Sequence, residues 1–370
     1  MLISSQQEAD ALFERLASED TVAIDSEFQW TTTYAPIPAL IQVATANEVH
    51  LLDPSALKDF TSFKNFLEEP NCVKIFHSCS QDLLLFNHMN GSVTTSLFDS
   101  QIANAFLSTF HQISYGKLVE KYTGEVLSKG SQRSNWLRRP LSPTQLEYAK
   151  SDVTWLFKCH GVLVEQLQET KRDQWHKSEC DVYCNSEFYR APEPEDLYKK
   201  FRGIGRLNRD QLAVLRELCA WRDQLAQKVD LRPKRLLADD GLFSIVYKLP
   251  KNSRELKGCR DVNERVLRSS AEEVLECINT GLNLEEEQKP NLVKSRPISK
   301  EEEDITDQLY KAVNLLAENM NMASALLLTR QTAKKITANF YSKNELILDF
   351  LSPWRQDVLE ETVKKVLNVK

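Results

Sequence analysis

The sequence predicts a mixed-sheet α/β domain followed by two small all-α domains. Three observations carry this. Strand-like and helix-like patterns alternate through the first half, and strand signals fade after about residue 165. Two polar, proline-bearing segments, RAPEPED at 190–196 and LEEEQKPNLVKSRPISKEEED at 284–304, then punctuate the helical remainder. A chain of 370 residues also exceeds what one hydrophobic core usually serves.

Val22-Ala23-Ile24 enters a strand that continues through Asp25, Ser26 and Glu27. Leu40 to Ala44 and Val49 to Leu52 are two further apolar runs, the second stopped by Asp53-Pro54. The short connections predict an antiparallel meander of the three. Lys74 to His77 leads into Asp82 to Phe86, whose spacing is helical. Ser142-Pro143 starts another helix, with Ser142 as N-cap and Pro143 at the first helical position. Leu207 to Val229 reads as a long helix, its Leu212, Leu215, Leu218, Trp221 and Leu225 recurring at three and four. Residues 305–370 are helical again through Leu309, Val313, Leu316, Leu326 to Leu328 and Ile347 to Leu351. No period of about 20–50 residues repeats, which excludes a solenoid.

Hydrophobic content of 42% and charged content of 27% fit a soluble globular protein. The net charge of −6 and pI near 5.7 argue against a non-specific nucleic-acid binder with a basic field. They do not argue against an enzyme that meets phosphate through bound cations. The start, MLISSQQEADALFERL, is neither basic nor apolar, so no signal peptide is expected. No segment approaches the roughly 20 apolar residues that cross a bilayer. Eight cysteines are scattered; Cys180 and Cys184 sit four apart with no second pair or nearby His to complete a zinc site. A reducing cytoplasm is the expected compartment.

Three places carry chemistry. Asp25 and Glu27 lie two apart on a strand and so share a face. Two such carboxylates repel each other unless a cation sits between them, and a divalent ion suits hard oxygen ligands. The alternative is that one of them caps a turn. Tyr148 and Asp152 lie four apart on one helix face, against the alternative of a surface Asp beneath a core Tyr. Asp82 begins an apolar helix just after a strand, at the sheet edge where α/β sites gather. There the alternative is an acid that merely favours the helix dipole.

In their order and context these segments resemble the DEDDy family of 3′–5′ exonucleases, and within it the ribonuclease D branch. AIDSEFQWTTTYAPIPALIQVA is similar to the first exonuclease motif, KIFHSCSQDLLLF to the second and LEYAKSDVTWL to the third. LFDSQIANAFL, SYGKLVEKYTG and SQRSNWLRRPLSPTQ also match family signatures, and the likeness is densest from about 20 to 157. The resemblance implies an RNase H-like exonuclease domain that releases nucleoside 5′-monophosphates from a 3′ end. It implies Asp25, Glu27, Asp82 and Asp152 as ligands of two divalent cations, Mg²⁺ or Mn²⁺, and Tyr148 as the site tyrosine. Two-metal chemistry then expects Asp25 to bridge, Glu27 and Asp152 to stand on the attacking-water side, and Asp82 to support the second ion. A phenol titrating near 10 is a poor base, so Tyr148 is read as orienting water.

Weaker substrate-binding candidates follow. His77 stands where relatives contact the terminal nucleotide, against a satisfied strand-end imidazole. Phe28 is read as a stacking aromatic, against a core Phe. Arg133, with Arg138 and Arg139 around Trp136, is a candidate phosphate patch, against a solvated loop. Gln101, after Asp99, is read as structural.

The segment from FRGIGRLNRDQL to DDGLFSIV resembles an HRDC domain, carried by Leu212 to Arg222 and Arg232 to Leu242. LLLTRQTAKKITANF and LSPWRQDVLEETVKKVL resemble a second, more divergent HRDC-like domain. The implied boundaries are 1–170 for the exonuclease, 171–205 for a connector, and 206–286 and 296–370 for the helical domains. HRDC domains typically help grip nucleic acid. Here LKGCRDVNERVLRSSAEEVLECI retains Gly258 but carries Arg260 and Ala271 near common glycine positions, which weakens the case for backbone-amide contact with phosphate. Arg330, Lys334, Lys335 and Lys343 form a basic cluster in the last segment, against a solvated helix face. The implied partner is RNA with a free 3′ end, tRNA precursors and other small structured RNAs, met by a monomer. A repair-type 3′–5′ DNA exonuclease and a non-catalytic RNA-binding scaffold are the competing readings. All motifs precede residue 157, so the helical half is expected to be dispensable for the chemistry.

Overall fold

The computed structural model describes residues 2–127, 130, 134–291, 298–343 and 345–369. It divides into two compact units. One comprises Met1–Gln29, Pro38–Tyr189 and Ile298–Lys370; the other comprises Trp30–Ile37 and Arg190–Pro297.

The first unit is built on six strands: β1 (Leu2–Ile3), β2 (Thr21–Gln29), β3 (Ile37–Ala44), β4 (Val49–Leu52), β5 (Val73–Phe76) and β6 (Leu97–Asp99), in the order β1-β4-β3-β2-β5-β6. β3 and β4 pair antiparallel, as their short connection predicts. β1 runs parallel to β4, and β5 runs parallel to both β2 and β6. β1 and β6 went unread in the sequence because two or three residues leave no room for a period-two pattern.

Alternation along β2 decides what each sheet face receives. Val22 and Ile24 join the core beneath α1 (Gln6–Leu16), α2 (Thr61–Glu68) and α3 (Ser80–Asn90). There Phe13, Phe63, Phe66 and Phe86 form a chain of ring contacts with centroids 4.8–6.4 Å apart. Ala23 turns to the other face, which α4 (Ser100–Leu107), α5 (Tyr115–Thr123) and α6 (Pro143–Glu169) cover, with α7 (Asp173–Asp181) following. By the same alternation Asp25 and Glu27 face α6. That helix begins as predicted: Ser142 forms a reciprocal capping box with Gln145, and Pro143 occupies the first turn.

The second unit contains α8 (Arg209–Lys228), α9 (Pro233–Leu236), α10 (Asp239–Lys248), α11 (Ser253–Lys257), α12 (Glu264–Ser269) and α13 (Ala271–Leu282). Leu212, Leu215 and Leu218 of α8 pack with Val246, Val274 and Ile278. The loop after β2 belongs to this unit. The Arg232 guanidinium lies 4.6 Å from the Trp30 ring centroid, the Arg232 amide donates to the Thr32 carbonyl, and the Tyr34 hydroxyl bonds Asp223.

Residues beyond 298 return to the first unit as α14 (Lys300–Asn319), α15 (Ser324–Leu327), α16 (Arg330–Lys343) and α17 (Pro353–Leu367). Leu309, Val313, Leu359 and Val363 share one core with Phe106, Val153 and Leu163. Trp354 stacks on Trp175 at 5.1 Å, and Arg355 grips Glu179 through both carboxylate oxygens. Arg172 donates to the carbonyls of Phe106 and Met320. The helical half is therefore not one separable block: residues beyond 298 share a hydrophobic core with the first unit. No described helix is long and apolar enough to cross a membrane.

Candidate active site

β2 and β5 run parallel with Ala23 opposite Ile75, so both strands deliver their C-terminal residues to the same sheet edge. α6 crosses this edge and presents Tyr148, Asp152 and Leu156 on one stripe, four residues apart. Together they enclose a cavity of about 240 Å³, lined by Asp25, Ser26, Glu27, His77, Tyr115, Tyr148, Asp152 and Leu156. Oxygens of Asp25, Glu27 and Asp152 all lie within 4.8 Å of one another.

Among the described lining residues there is no Lys or Arg. Burial, then repulsion from Asp152, pushes the Asp25 carboxyl up to about 8. Burial, then the neighbouring acids, pushes Glu27 up to about 9. Burial raises Asp152 to about 7, against the lowering effect of a hydrogen bond from Tyr148. Three carboxyls this close cannot all ionise without positive charge between them, and a set of oxygen donors suits a hard divalent cation. The residues present fit such an ion.

Asp82 lies on the first turn of α3, outside this triad but near enough to Asp25 and Glu27 to raise their charge repulsion. It is buried, and the Ser26 hydroxyl donates to its Oδ1. Its carboxyl is held well above the usual range, first by burial and then by Asp25.

The turn that sets this helix is fixed by Asp99. One carboxylate accepts the amides of Ser78 and Cys79 at 3.2 and 2.7 Å and of Gln101 and Ile102 at 2.8 and 3.2 Å. Ser78 is thereby held at φ +66°, a conformation that non-glycine residues rarely adopt. His77 contacts Ser100 Oγ through Nδ1 at 2.9 Å and the Ile113 carbonyl through Nε2 at 3.1 Å. Both ring nitrogens are thus engaged within the protein, while the ring lines the cavity wall. Burial lowers its pKa against the raising effects of Asp99 and the Ile113 hydrogen bond, which favours the neutral ring. The Gln101 side chain donates to the same Ile113 carbonyl.

Tyr115 escaped the sequence reading. Its hydroxyl donates to the backbone carbonyls of Asp152 and Ser151, and its ring meets His77 at 5.5 Å. The signature SYGKLVEKYTG contains it, but no spacing links it to Asp152 across 37 residues.

Other candidates sit elsewhere. Phe28 packs against the core beneath α3. Trp136 is buried with Ala39, Leu40 and Leu51, and its ring stands 6.1 Å from that of Tyr148. Neither lines the cavity. Arg139 is committed to both oxygens of Asp53 and to the carbonyls of Ala39 and Trp136. Arg133 lies outside the described residues. His176, one turn before Cys180 and overlooked in the sequence, contacts the Cys180 thiol at 3.4 Å and the Asp99 carbonyl at 3.0 Å. In the last segment Arg330 pairs with Asp307 and Lys335 lies over the Phe350 ring.

Residues 1–168 match the family model described as 3′–5′ exonuclease, and residues 211–278 match the HRDC domain. A ribonuclease D of Pseudomonas paraeruginosa is 31% identical over 347 residues, covering 94% of this chain and 92% of that protein. A ribonuclease D of Bartonella henselae is 30% identical over 371 residues, covering 100% of this chain and 90% of that one. The crystal structure of Escherichia coli RNase D, an exoribonuclease involved in structured RNA processing, superposes with a TM-score of 0.90 at 24% identity. The match spans 100% of this chain and 98% of that one.

Proposed function

The chain belongs to the ribonuclease D family, and from that membership we propose how its residues carry out 3′–5′ exoribonuclease chemistry on tRNA precursors and other small structured RNAs. The enzyme is a hydrolase that removes nucleotides from the 3′ end, releasing nucleoside 5′-monophosphates. One observation supports the site assignment above the rest: three carboxylates converge within 4.8 Å beside a tyrosine, and among the described residues no Lys or Arg lines their cavity.

Asp25, Glu27 and Asp152 would hold divalent cations, and Asp82 would support a second ion; Mg²⁺ or Mn²⁺ are the candidates. When bound, the ions supply the positive charge that activates water and stabilises the phosphate as it is attacked. The chain's own groups do the positioning. Ser26 fixes the orientation of Asp82. Tyr148 donates to Asp152 and keeps its oxygen lone pairs for the attacking water. Tyr115 holds the backbone of α6 at Asp152. The neutral His77 ring and Leu156 give the terminal nucleotide an uncharged wall.

The same reading assigns 1–170 to the exonuclease, 171–205 to a connector, 206–286 to an HRDC domain and 296–370 to a second HRDC-like domain. It has the enzyme working as a monomer in the cytoplasm; eight free thiols suit a reducing compartment. Hydrolysis of a 3′-extended tRNA by protein stripped with EDTA tests the assignment. Activity should be absent, return with Mg²⁺ or Mn²⁺, and fail to return in Asp25→Asn. A matched DNA strand cleaved equally well would favour the DNA exonuclease alternative. Full activity in EDTA would remove the metal reading.

A further inference from the structure

The first unit holds a second cavity, of about 580 Å³, that shares no lining residue with the catalytic one. α6 serves both. Tyr148, Asp152 and Leu156 line the catalytic cavity, and the same four-residue row continues to His160 and Val164, which line the second. At roughly 1.5 Å of rise per residue, Val164 lies about 18 Å along the helix from Asp152. The volume falls within the range of about 300–1,000 Å³ usual for small-molecule sites.

β6 forms one wall. It ends the sheet, so one of its edges has no neighbouring strand. The Lys74 amide donates to the Ser96 carbonyl, so Ser96 and Phe98 address β5. Leu97, between them, turns its N–H and C=O to the open edge. Among the described residues nothing bonds either group, although Leu97 is buried and lines the cavity. A buried backbone donor and acceptor call for a partner. His160 is uncommitted too: among the described residues its ring nitrogens make no hydrogen bond, and the ring stands edge-on to Phe98 at 4.6 Å. The His176 ring meets Phe98 at 4.4 Å. Burial, then His176, holds His160 down to about 4, and burial also lowers His176, so both rings favour the neutral form. Lys177 bonds Asp181 at 2.6 Å, and Asp173 adds a further acid to the lining.

These groups select an occupant. An anion finds no unpaired cation among the lining residues. A hydrocarbon leaves His160 and the Leu97 pair unsatisfied. A peptide strand needs a longer open edge, because β6 has three residues and the Asp99 carbonyl already bonds His176. A flat, uncharged nitrogen heterocycle meets every condition. Its ring fills the space beside Phe98, and a donor and an acceptor side by side on its edge match the N–H and C=O of one extended residue. Nucleobases carry such edges and stack on aromatic side chains. We propose that this cavity binds an uncharged nucleobase, free or as its nucleoside, with its edge on the Leu97 backbone and a further hydrogen bond to His160.

The test titrates the full chain in EDTA with adenosine, guanosine, cytidine and uridine by calorimetry, and with their 5′-monophosphates and indole in parallel. At least one nucleoside should bind saturably at a single site below about 1 mM. Its 5′-monophosphate should bind severalfold more weakly, because Asp173 and Asp181 repel the phosphate. Val164→Trp fills the cavity and should abolish binding. His160→Phe keeps the ring, removes its hydrogen bonds and should weaken binding roughly three- to tenfold. Both variants should melt like the wild type and hydrolyse a dinucleotide at its rate with Mg²⁺; if Val164→Trp does not fold, His160→Phe decides. Asp25→Asn should bind the nucleoside as the wild type does, which separates this cavity from the catalytic one. Absence of saturable binding by all four nucleosides would overturn the proposal. So would wild-type affinity in His160→Phe, loss of binding in Asp25→Asn, or indole binding as tightly as the nucleosides, which would describe an apolar hole only.

Discussion

Ser26 donates its hydroxyl to Asp82, so the strand that carries Asp25 and Glu27 also steadies the carboxylate offered by α3. This bond lowers the pKa of Asp82 against the burial that raises it. Ser26→Ala should remove about 1 kcal/mol of support for the ionised form, weakening cation affinity up to about tenfold. The pH at which activity reaches half its maximum should rise at sub-saturating Mg²⁺, and Ser26→Thr should restore it. Mg²⁺ titrations across pH check this; identical curves for Ser26→Ala and the wild type would remove Ser26 from the site.

Metal-free stability should fall as pH rises. In the folded chain Asp25, Glu27 and Asp152 titrate near 8, 9 and 7, far above the unfolded values near 4. Between those limits the folded state binds more protons than the unfolded state, so unfolding free energy decreases with pH. The loss should run from about pH 4 to about pH 9, and saturating divalent cation should abolish it. Asp25→Asn should flatten the decline and stabilise the metal-free protein at pH 8 by roughly 1–2 kcal/mol. Thermal melting in EDTA that stays level over this range would mean the carboxyls are not crowded.

Asp152 and Tyr148 act on different terms and should separate kinetically. If Asp152 holds a cation as proposed, Asp152→Asn removes a charged ligand and should lower turnover by about a thousandfold or more. Tyr148→Phe removes one hydroxyl that bonds Asp152, and turnover should drop roughly ten- to a thousandfold with RNA affinity kept. Single-turnover rates and binding in EDTA decide. Collapse of affinity with turnover held in Tyr148→Phe would make the tyrosine a binding group.

The placement of these acids and of Tyr148 was legible because it is local: period two aligns Asp25 with Glu27, and one helical turn aligns Tyr148 with Asp152. Ser142-Pro143 was legible for the same reason. What periodicity does not encode is who faces whom. Ser26 reaches Asp82 across 56 residues and Tyr115 reaches Asp152 across 37. Arg139 looked like a phosphate ligand until Asp53, 86 residues away, claimed the Nε–Nη2 edge of its guanidinium. Amphipathic helices beyond residue 298 announce that one face is buried, and nothing in their pattern says against which partner.

That partner is the nuclease core, and its loss should be felt as stability. Leu359 is fully buried among residues shared with α4 and α6. Leu359→Ala should cost about 2–5 kcal/mol through lost burial and the cavity left behind. Arg355→Ala leaves the Glu179 carboxylate, whose side chain is 14% exposed, with the Trp354 indole as its donor among the described residues. Discounted for that exposure, the change should cost about 2–3 kcal/mol. Each should lower the melting temperature by roughly 5–10 °C while dinucleotide hydrolysis at low temperature stays at the wild-type rate. Removing residues 298–370 altogether uncovers Phe106, Trp175 and the apolar side of α6, and the remainder should aggregate. A soluble fragment ending before residue 298, melting like the full chain and fully active, would show that the shared core is not needed.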